Sequence, residues 1–135
     1  MTYDVVVVGG VPRTSTALYT TSFGHRTALF EHEGGRHATF GHVHSLPDVS
    51  ENVSGRELAD HALEQLETYG GDVHFDSVES IDGPAEGSYP FRVEADHAMV
   101  EARRIVLATG FRNHGTDVPG LVRFTGRRLY YLSSL

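Results

Sequence analysis

The first hydrophobic run of the chain covers residues 3–8, which are almost all apolar and mostly β-branched. Such a run is typical of a strand buried on both faces. It leads into Gly9 and Gly10, then into a polar segment of helical length that Gly24 ends. A second apolar run, residues 27–30, closes on Glu31. Strand, glycine turn, helix, strand and terminal acid form the layout of a dinucleotide-binding βαβ unit.

A second helix is predicted over residues 54–69. Ser54 and Glu57 fit a capping box, in which each side chain bonds the other residue's backbone. Two glycines at 70 and 71 end the segment. Its apolar residues recur at helical spacing and predict one buried face: Leu58, Ala59, Ala62, Leu63, Leu66 and Tyr69.

Short strands are predicted in the second half of the chain. Residues 72–75 and 77–81 read as two strands with a kink near Asp76. Residues 91–95 alternate between apolar and polar, which indicates a half-exposed antiparallel strand. A tight turn near His97 then leads to a strand over 98–102, and a buried run over 104–108 follows. The sequence therefore predicts an α/β fold with a small antiparallel hairpin or meander.

Composition narrows the class of protein. A chain of 135 residues is expected to form one domain over residues 1–135. All eleven basic residues are arginine and the net charge is −7, which argues against a nucleic-acid partner. No apolar run is long enough to span a membrane and no signal-peptide pattern precedes Tyr3, so a cytoplasmic location is expected. Cysteine is absent, which excludes disulfides and a redox cysteine pair within these residues.

The glycine turn departs from the dinucleotide-binding pattern. With Gly9 as the first glycine, Val11 stands at the second position and Thr14 at the third. A β-branched side chain at the second position crowds the phosphate and resists a positive φ angle. Strained backbone of this kind costs about 1–3 kcal/mol. We therefore expect weakened pyrophosphate binding.

Other polar residues have competing interpretations. Glu31 lies where an acid would accept hydrogen bonds from ribose hydroxyls, or it is an exposed acid at a strand end. His32, His37, His42 and His44 invite a metal interpretation, but their spacing matches no helical pair and no cysteine joins them. We predict solvated loop histidines, no metal site, and no catalytic acid, base or nucleophile.

Taken in order, these pieces resemble the amino-terminal part of the thioredoxin-reductase-like, FAD-dependent pyridine nucleotide-disulfide oxidoreductases. The resemblance covers nearly the whole chain. It is carried by residues 3–10, Ala17-Leu18-Tyr19-Thr20, Glu31, Gly34-Gly35-Arg36, Leu46-Pro47, residues 54–58, Phe75-Asp76 and residues 106–110.

The resemblance implies a Rossmann-like FAD/NAD(P)-binding domain with a parallel central sheet, helices and a small antiparallel β-meander. It implies FAD as cofactor and NAD(P)H as the family's electron donor. The implied contacts are the pyrophosphate at the glycine turn and the helix start, the ribose at Glu31, and the flavin side along the second glycine pair. The adenine and the strand-end contacts complete the set, which comprises Gly9, Gly10, Val11, Pro12, Glu31, Gly35, Arg36, Val73, His74, Ala108, Thr109 and Gly110.

The chain also departs from the family pattern. The segment Ala17-Leu18-Tyr19-Thr20 arrives one residue early, and Ser45 stands where these enzymes often place an asparagine near the flavin. The family pattern continues into a Cys-x-x-Cys segment and an NADPH domain, and this sequence stops before both. We therefore predict a truncated FAD-binding domain that is not catalytically complete alone.

Two alternatives stay open at this stage. One is a non-catalytic remnant or interaction module that keeps the fold without cofactor and self-associates through an incomplete sheet edge. The other is a nicotinamide-binding βαβ protein, which the glycine turn and Glu31 suit equally well.

Overall fold

The structure is a computed structural model, and it describes residues 1–10, 14–32, 53–83, 90–110 and 118–124. Its two helices are α1 (Thr14–Ser22) and α2 (Gly55–Thr68), and a short 3₁₀ helix covers Val122–Phe124. The strands are β1 (Thr2–Val8), β2 (Thr27–Glu31), β3 (Asp72–Phe75), β4 (Val78–Asp82), β5 (Phe91–Ala95) and β6 (Met99–Leu107).

The strands form one mixed sheet in the order β3-β2-β1-β6-β5-β4. Strands β3, β2, β1 and β6 pair in parallel, and β4, β5 and β6 pair antiparallel. This arrangement confirms the predicted α/β fold with a parallel part and a meander.

One strand prediction is wrong in detail. Residues 98–102 and 104–108 were expected to form separate strands, whereas β6 is a single strand. Arg103 and Arg104 interrupt the apolar pattern but lie exposed within the strand. Because β6 keeps its pairing to β1 on both sides of these arginines, their charge does not end it.

The two helices cover one face of the parallel strands. Ser54 caps α2 with the predicted capping box: the Glu57 backbone N–H donates to Ser54 Oγ at 3.2 Å. Tyr69, expected on the buried face, is instead 56% exposed because it forms the cap after the last turn. The hydrophobic cluster between the helices and the sheet contains Val5, Val7, Ala17, Leu29, Ala59, Leu63 and Leu66.

The meander covers the opposite face. Asp76, just after β3, accepts a hydrogen bond from the His97 backbone N–H at 3.0 Å, and its carboxylate also lies 3.2 Å from His97 Nδ1. Because His97 lies in the β5–β6 turn, this contact holds the meander across the parallel strands. The cluster between these layers contains Tyr3, Val6, Val8, Ala28, Phe30, Val93, Ala95, Val100 and Ala102.

Within the described residues, no helix has the length and apolar character needed to cross a membrane.

Candidate dinucleotide site

The carboxyl ends of β1, β2 and β6 lie side by side. Val8 is in register with Phe30 on one side and with Leu107 on the other. The residues that follow these positions therefore emerge at one edge of the sheet. Ligands of open α/β sheets bind at this carboxyl edge. The edge is the candidate site.

Gly9 is fixed between the two neighbouring strands. Its N–H donates to the Phe30 carbonyl at 3.0 Å, and the Ala108 N–H donates to the Val8 carbonyl at 2.8 Å. The φ angle of Gly9 is +147°, and a Cβ placed there would lie 2.2 Å from the Ala108 carbonyl oxygen. Sequence reasoning assigned Gly9 to a tight turn. The structure adds that the end of β6 leaves no space for a side chain.

Glu31 is the last residue of β2 and is 3% exposed. The interpretation of this residue as an exposed acid is therefore wrong. A carboxylate withdrawn from water at the strand end can accept two hydrogen bonds from a pair of adjacent hydroxyl groups. Its position at the edge beside Gly9 follows from the parallel pairing of β1 and β2.

Thr14 begins α1 and is 1% exposed. The sequence interpretation treated Thr14 as a departure from the third glycine. The fold accommodates its side chain between the helix and its surroundings, but its Oγ1 is buried and has no hydrogen-bond partner within the part of the chain that the structure describes. The first turn of α1 has no acidic side chain.

Val73 and His74 point to opposite faces of β3. Val73 packs against the helix-side cluster. The His74 ring lies parallel to that of Phe30, with centroids 4.6 Å apart, and it meets the Tyr3 ring edge-on at 6.4 Å. Both side chains are therefore occupied in packing, and the predicted adenine contact stays a prediction.

The Tyr3 hydroxyl lies in this same aromatic group. Burial raises its pKa to about 12, aided by a hydrogen bond and the negative charge of Asp72 and opposed by Arg26. The Arg26 guanidinium lies 5.2 Å from the centre of the Tyr3 ring. Tyr3 therefore stays protonated over the whole physiological pH range.

The remaining predicted site residues fall into two groups. Ala108, Thr109 and Gly110 follow β6 at the candidate edge, and Gly110 has a φ angle of +71°. Gly10 follows Gly9 at the same edge. Val11, Pro12, Gly35 and Arg36 lie outside the described residues, as do His37, His42, His44 and Ser45.

In the described ranges, one group of side chains has potential metal ligands close together. Ligand atoms of Asp76, Asp96 and His97 lie within 4.8 Å of one another. Asp76 already accepts the His97 hydrogen bonds that close the meander, which accounts for the cluster without an ion. His32, predicted to be solvated, is exposed, and its Nδ1 lies 2.6 Å from Ser77 Oγ.

Comparison with known proteins gives a consistent result. No family model matches the chain. The chain is 29% identical over 128 residues to a bifunctional thioredoxin reductase/thioredoxin of Mycobacterium leprae, covering 93% of the chain and 28% of that protein. It is 26% identical to thioredoxin reductase of Bacillus subtilis, covering 96% of the chain and 40% of that protein. An alkyl hydroperoxide reductase of Pseudomonas putida is 31% identical, with 96% and 25% covered.

Solved structures agree with these relatives. A thioredoxin reductase from Gloeobacter violaceus superposes with a TM-score of 0.76 at 26% identity, over 93% of this chain and 40% of that one. The thioredoxin reductase from Streptococcus pyogenes gives a TM-score of 0.77 at 26% identity, over 93% and 41%.

The fold and the edge site define a Rossmann-like, nucleotide-binding α/β domain. Sequence and structure place the chain more narrowly: it is thioredoxin-reductase-like, with the fold of that family's FAD-binding domain. The recognition made from the sequence is thus confirmed, and an interaction module that keeps only the fold is not favoured. The chain spans about a quarter to two fifths of the length of these curated relatives.

Proposed function

We propose that this chain binds FAD at the carboxyl edge of β1, β2 and β6, as the FAD-binding domain of a thioredoxin-reductase-like oxidoreductase. The observation that carries the proposal is the close approach of Gly9 to the Ala108 carbonyl. It keeps side chains out of the junction where β1 and β6 end, and Glu31 ends the next strand beside it. An edge of exposed backbone with one buried acid suits the phosphates and ribose of a dinucleotide.

The residues divide the cofactor between them. Gly9, Gly10 and the start of α1 would hold the pyrophosphate through backbone N–H groups, which is the usual role of a helix amino terminus. Glu31 would accept hydrogen bonds from the adenosine ribose. The backbone of residues 108–110 would border the cofactor after β6.

The other predicted contacts belong to the same proposal on the strength of family resemblance. Val73 and His74 would border the adenine, and Val11 and Pro12 the pyrophosphate. Gly35 and Arg36 would lie along the flavin side.

The oxidoreductase activity concerns a longer protein than these residues. Bound flavin would supply hydride transfer from NAD(P)H to a disulfide or another acceptor. The residues of this chain would bind and orient the cofactor, and we assign none of them as a catalytic acid, base or nucleophile. Since the chain has no cysteine, a reacting dithiol would have to come from elsewhere. A cytoplasmic location stays a prediction.

Calorimetric titration of the folded protein with FAD, NADH and ADP tests this proposal. We expect saturable binding of FAD with one site per chain, weaker binding of ADP, and NADH no tighter than ADP. Tighter binding of NADH than FAD would favour the nicotinamide-binding alternative. A folded protein that binds none of the three would exclude a dinucleotide site.

We also propose self-association through the sheet edge at the end of β6. Its described antiparallel pairing to β5 ends at Ala102, whereas its pairing to β1 continues to Leu107. Leu107 is 66% exposed. An apolar strand edge of this kind can pair with a second copy. Sedimentation velocity should detect a concentration-dependent dimer that Leu107→Arg weakens, and an unchanged monomer at all concentrations would contradict it.

A further inference from the structure

Threonines in the described helices satisfy their hydroxyl groups in one common way. Thr20 Oγ1 donates to the Ala17 carbonyl at 2.9 Å, and Thr21 Oγ1 donates to the same carbonyl at 2.8 Å. Thr68 in α2 donates to the Glu64 carbonyl at 2.8 Å. These are bonds to the carbonyl three or four residues earlier in the helix, which is the usual local partner for a helical hydroxyl.

Thr14 lacks this option because it is the first residue of α1. No helical carbonyl precedes it by three or four residues. Its Oγ1 is buried and has no partner among the described residues. A buried hydroxyl without a partner is unfavourable and uncommon in native proteins, so each such group calls for an explanation.

The surroundings of Thr14 favour an anion as the missing partner. The first N–H groups of a helix have no acceptor within the helix, and the helix dipole makes this end positive. No acidic side chain in the first turn of α1 neutralises it. Thr14 is also connected to the candidate edge by only residues 11–13, because Gly10 follows β1 there.

We propose that the Thr14 hydroxyl donates a hydrogen bond to a phosphate oxygen of the bound dinucleotide. The inference rests on the proposed function and adds a positioning residue to it. It also reverses the sequence interpretation of Thr14. A side chain that is a defect by comparison with glycine becomes a donor that glycine lacks, and it offsets part of the loss expected at Val11.

Three variants test the inference by calorimetric titration with ADP and FAD. Thr14→Val keeps the shape and removes the hydroxyl, Thr14→Ser keeps the hydroxyl, and Thr21→Val removes a buried hydroxyl from the same helix. We expect Thr14→Val to bind both ligands roughly 10- to 100-fold more weakly, the loss of a hydrogen bond to a charged group. Thr14→Ser and Thr21→Val should bind within about threefold of the parent.

Thermal unfolding without ligand supplies the second readout. Thr14→Val should melt at or above the parent temperature, because a methyl group replaces a hydroxyl that has no partner. Thr21→Val should melt lower, because it removes a satisfied hydrogen bond and leaves the burial unchanged. This opposite pair of shifts needs no bound ligand.

Two results would overturn the inference. Parent-like ADP affinity in Thr14→Val would show that the hydroxyl takes no part in binding. A fall in melting temperature as large as that of Thr21→Val would show that the hydroxyl is bonded within the protein. Binding of ADP but not FAD by the parent would contradict the flavin assignment alone, whereas binding of neither would overturn both proposals.

Discussion

Gly9 and Ala108 are in direct backbone contact across the ends of two parallel strands. A Cβ atom on Gly9 would lie 2.2 Å from the Ala108 carbonyl oxygen and 2.6 Å from its carbonyl carbon. No real Cβ contact is that short, so the glycine is required by its neighbour as well as by its φ angle. The contact couples the first turn of the chain to a strand about a hundred residues later.

Gly9→Ala should therefore destabilise the fold and abolish cofactor binding. Positive φ and the overlap with the β6 backbone together predict a loss of roughly 2–6 kcal/mol in the free energy of unfolding. Urea denaturation measures it. Gly24→Ala is the matched control, because Gly24 has a φ angle of +82° but a Cβ placed there would meet no atom within 4 Å. It should cost only about 1–2 kcal/mol. Equal losses in both variants would mean that the Ala108 contact is unimportant.

Glu31→Gln should weaken binding of adenosine nucleotides by roughly tenfold, because a neutral amide is a poorer acceptor for the ribose hydroxyls than a carboxylate. Calorimetry with ADP and 2′-deoxy-ADP measures the affinities of the parent and the variant. If Glu31 binds the ribose, the variant and the deoxy ligand remove the same interaction, and their losses should not add. Fully additive losses would place the Glu31 carboxylate away from the ribose.

The Asp76–His97 contact predicts sensitivity to acid. Burial alone would raise the pKa of Asp76, but hydrogen bonds from the His97 backbone and ring, together with its charge, lower it below 3.8. A lowered pKa in the folded state stabilises the fold above pH 3.8, and this contribution is lost as the pH falls through the folded-state pKa. Urea denaturation between pH 2 and pH 6 should show a steeper acid loss in the parent than in Asp76→Asn.

His97→Ala is the partial control for this effect. It removes the ring but keeps the backbone N–H that donates to Asp76 at 3.0 Å. Its acid dependence should therefore lie between those of the parent and Asp76→Asn. Identical pH profiles for all three proteins would rule out a stabilising charge on Asp76.

Tyr3 predicts the behaviour at the alkaline end. Its pKa rises from 10 to about 12 in the folded state, with burial as the main cause. A raised pKa stabilises the fold fully below pH 10, and this contribution is lost as the pH rises toward 12. Tyr3→Phe keeps the ring and removes the titrating group. The difference in unfolding free energy between parent and variant should shrink over this range, and a constant difference would contradict the assignment.

The parallel sheet was predictable because its apolar runs and glycine punctuation are local signals. The capping box at Ser54 and Glu57 was readable for the same reason. The continuity of β6 was not readable, because two exposed arginines resemble a break until pairing to β1 is known.

The site was only partly predictable. The position of Glu31 followed from its spacing after Gly9, but its burial depends on the packing around the end of β2. The contact of Gly9 with Ala108 joins residues far apart in sequence, so no local pattern encodes it. For Thr14, comparison with the glycine motif indicated a loss. The partner that its hydroxyl lacks becomes visible only when the first residue of α1 is known.

Titration of the purified, folded protein with FAD tests the central claim most directly. Flavin absorbance and heat of binding should change together and saturate at one FAD per chain, and Gly9→Ala should remove both changes. A parent protein that gives a folded circular dichroism spectrum, yet shows no flavin absorbance change and no heat, would contradict the assignment of this domain as an FAD-binding domain.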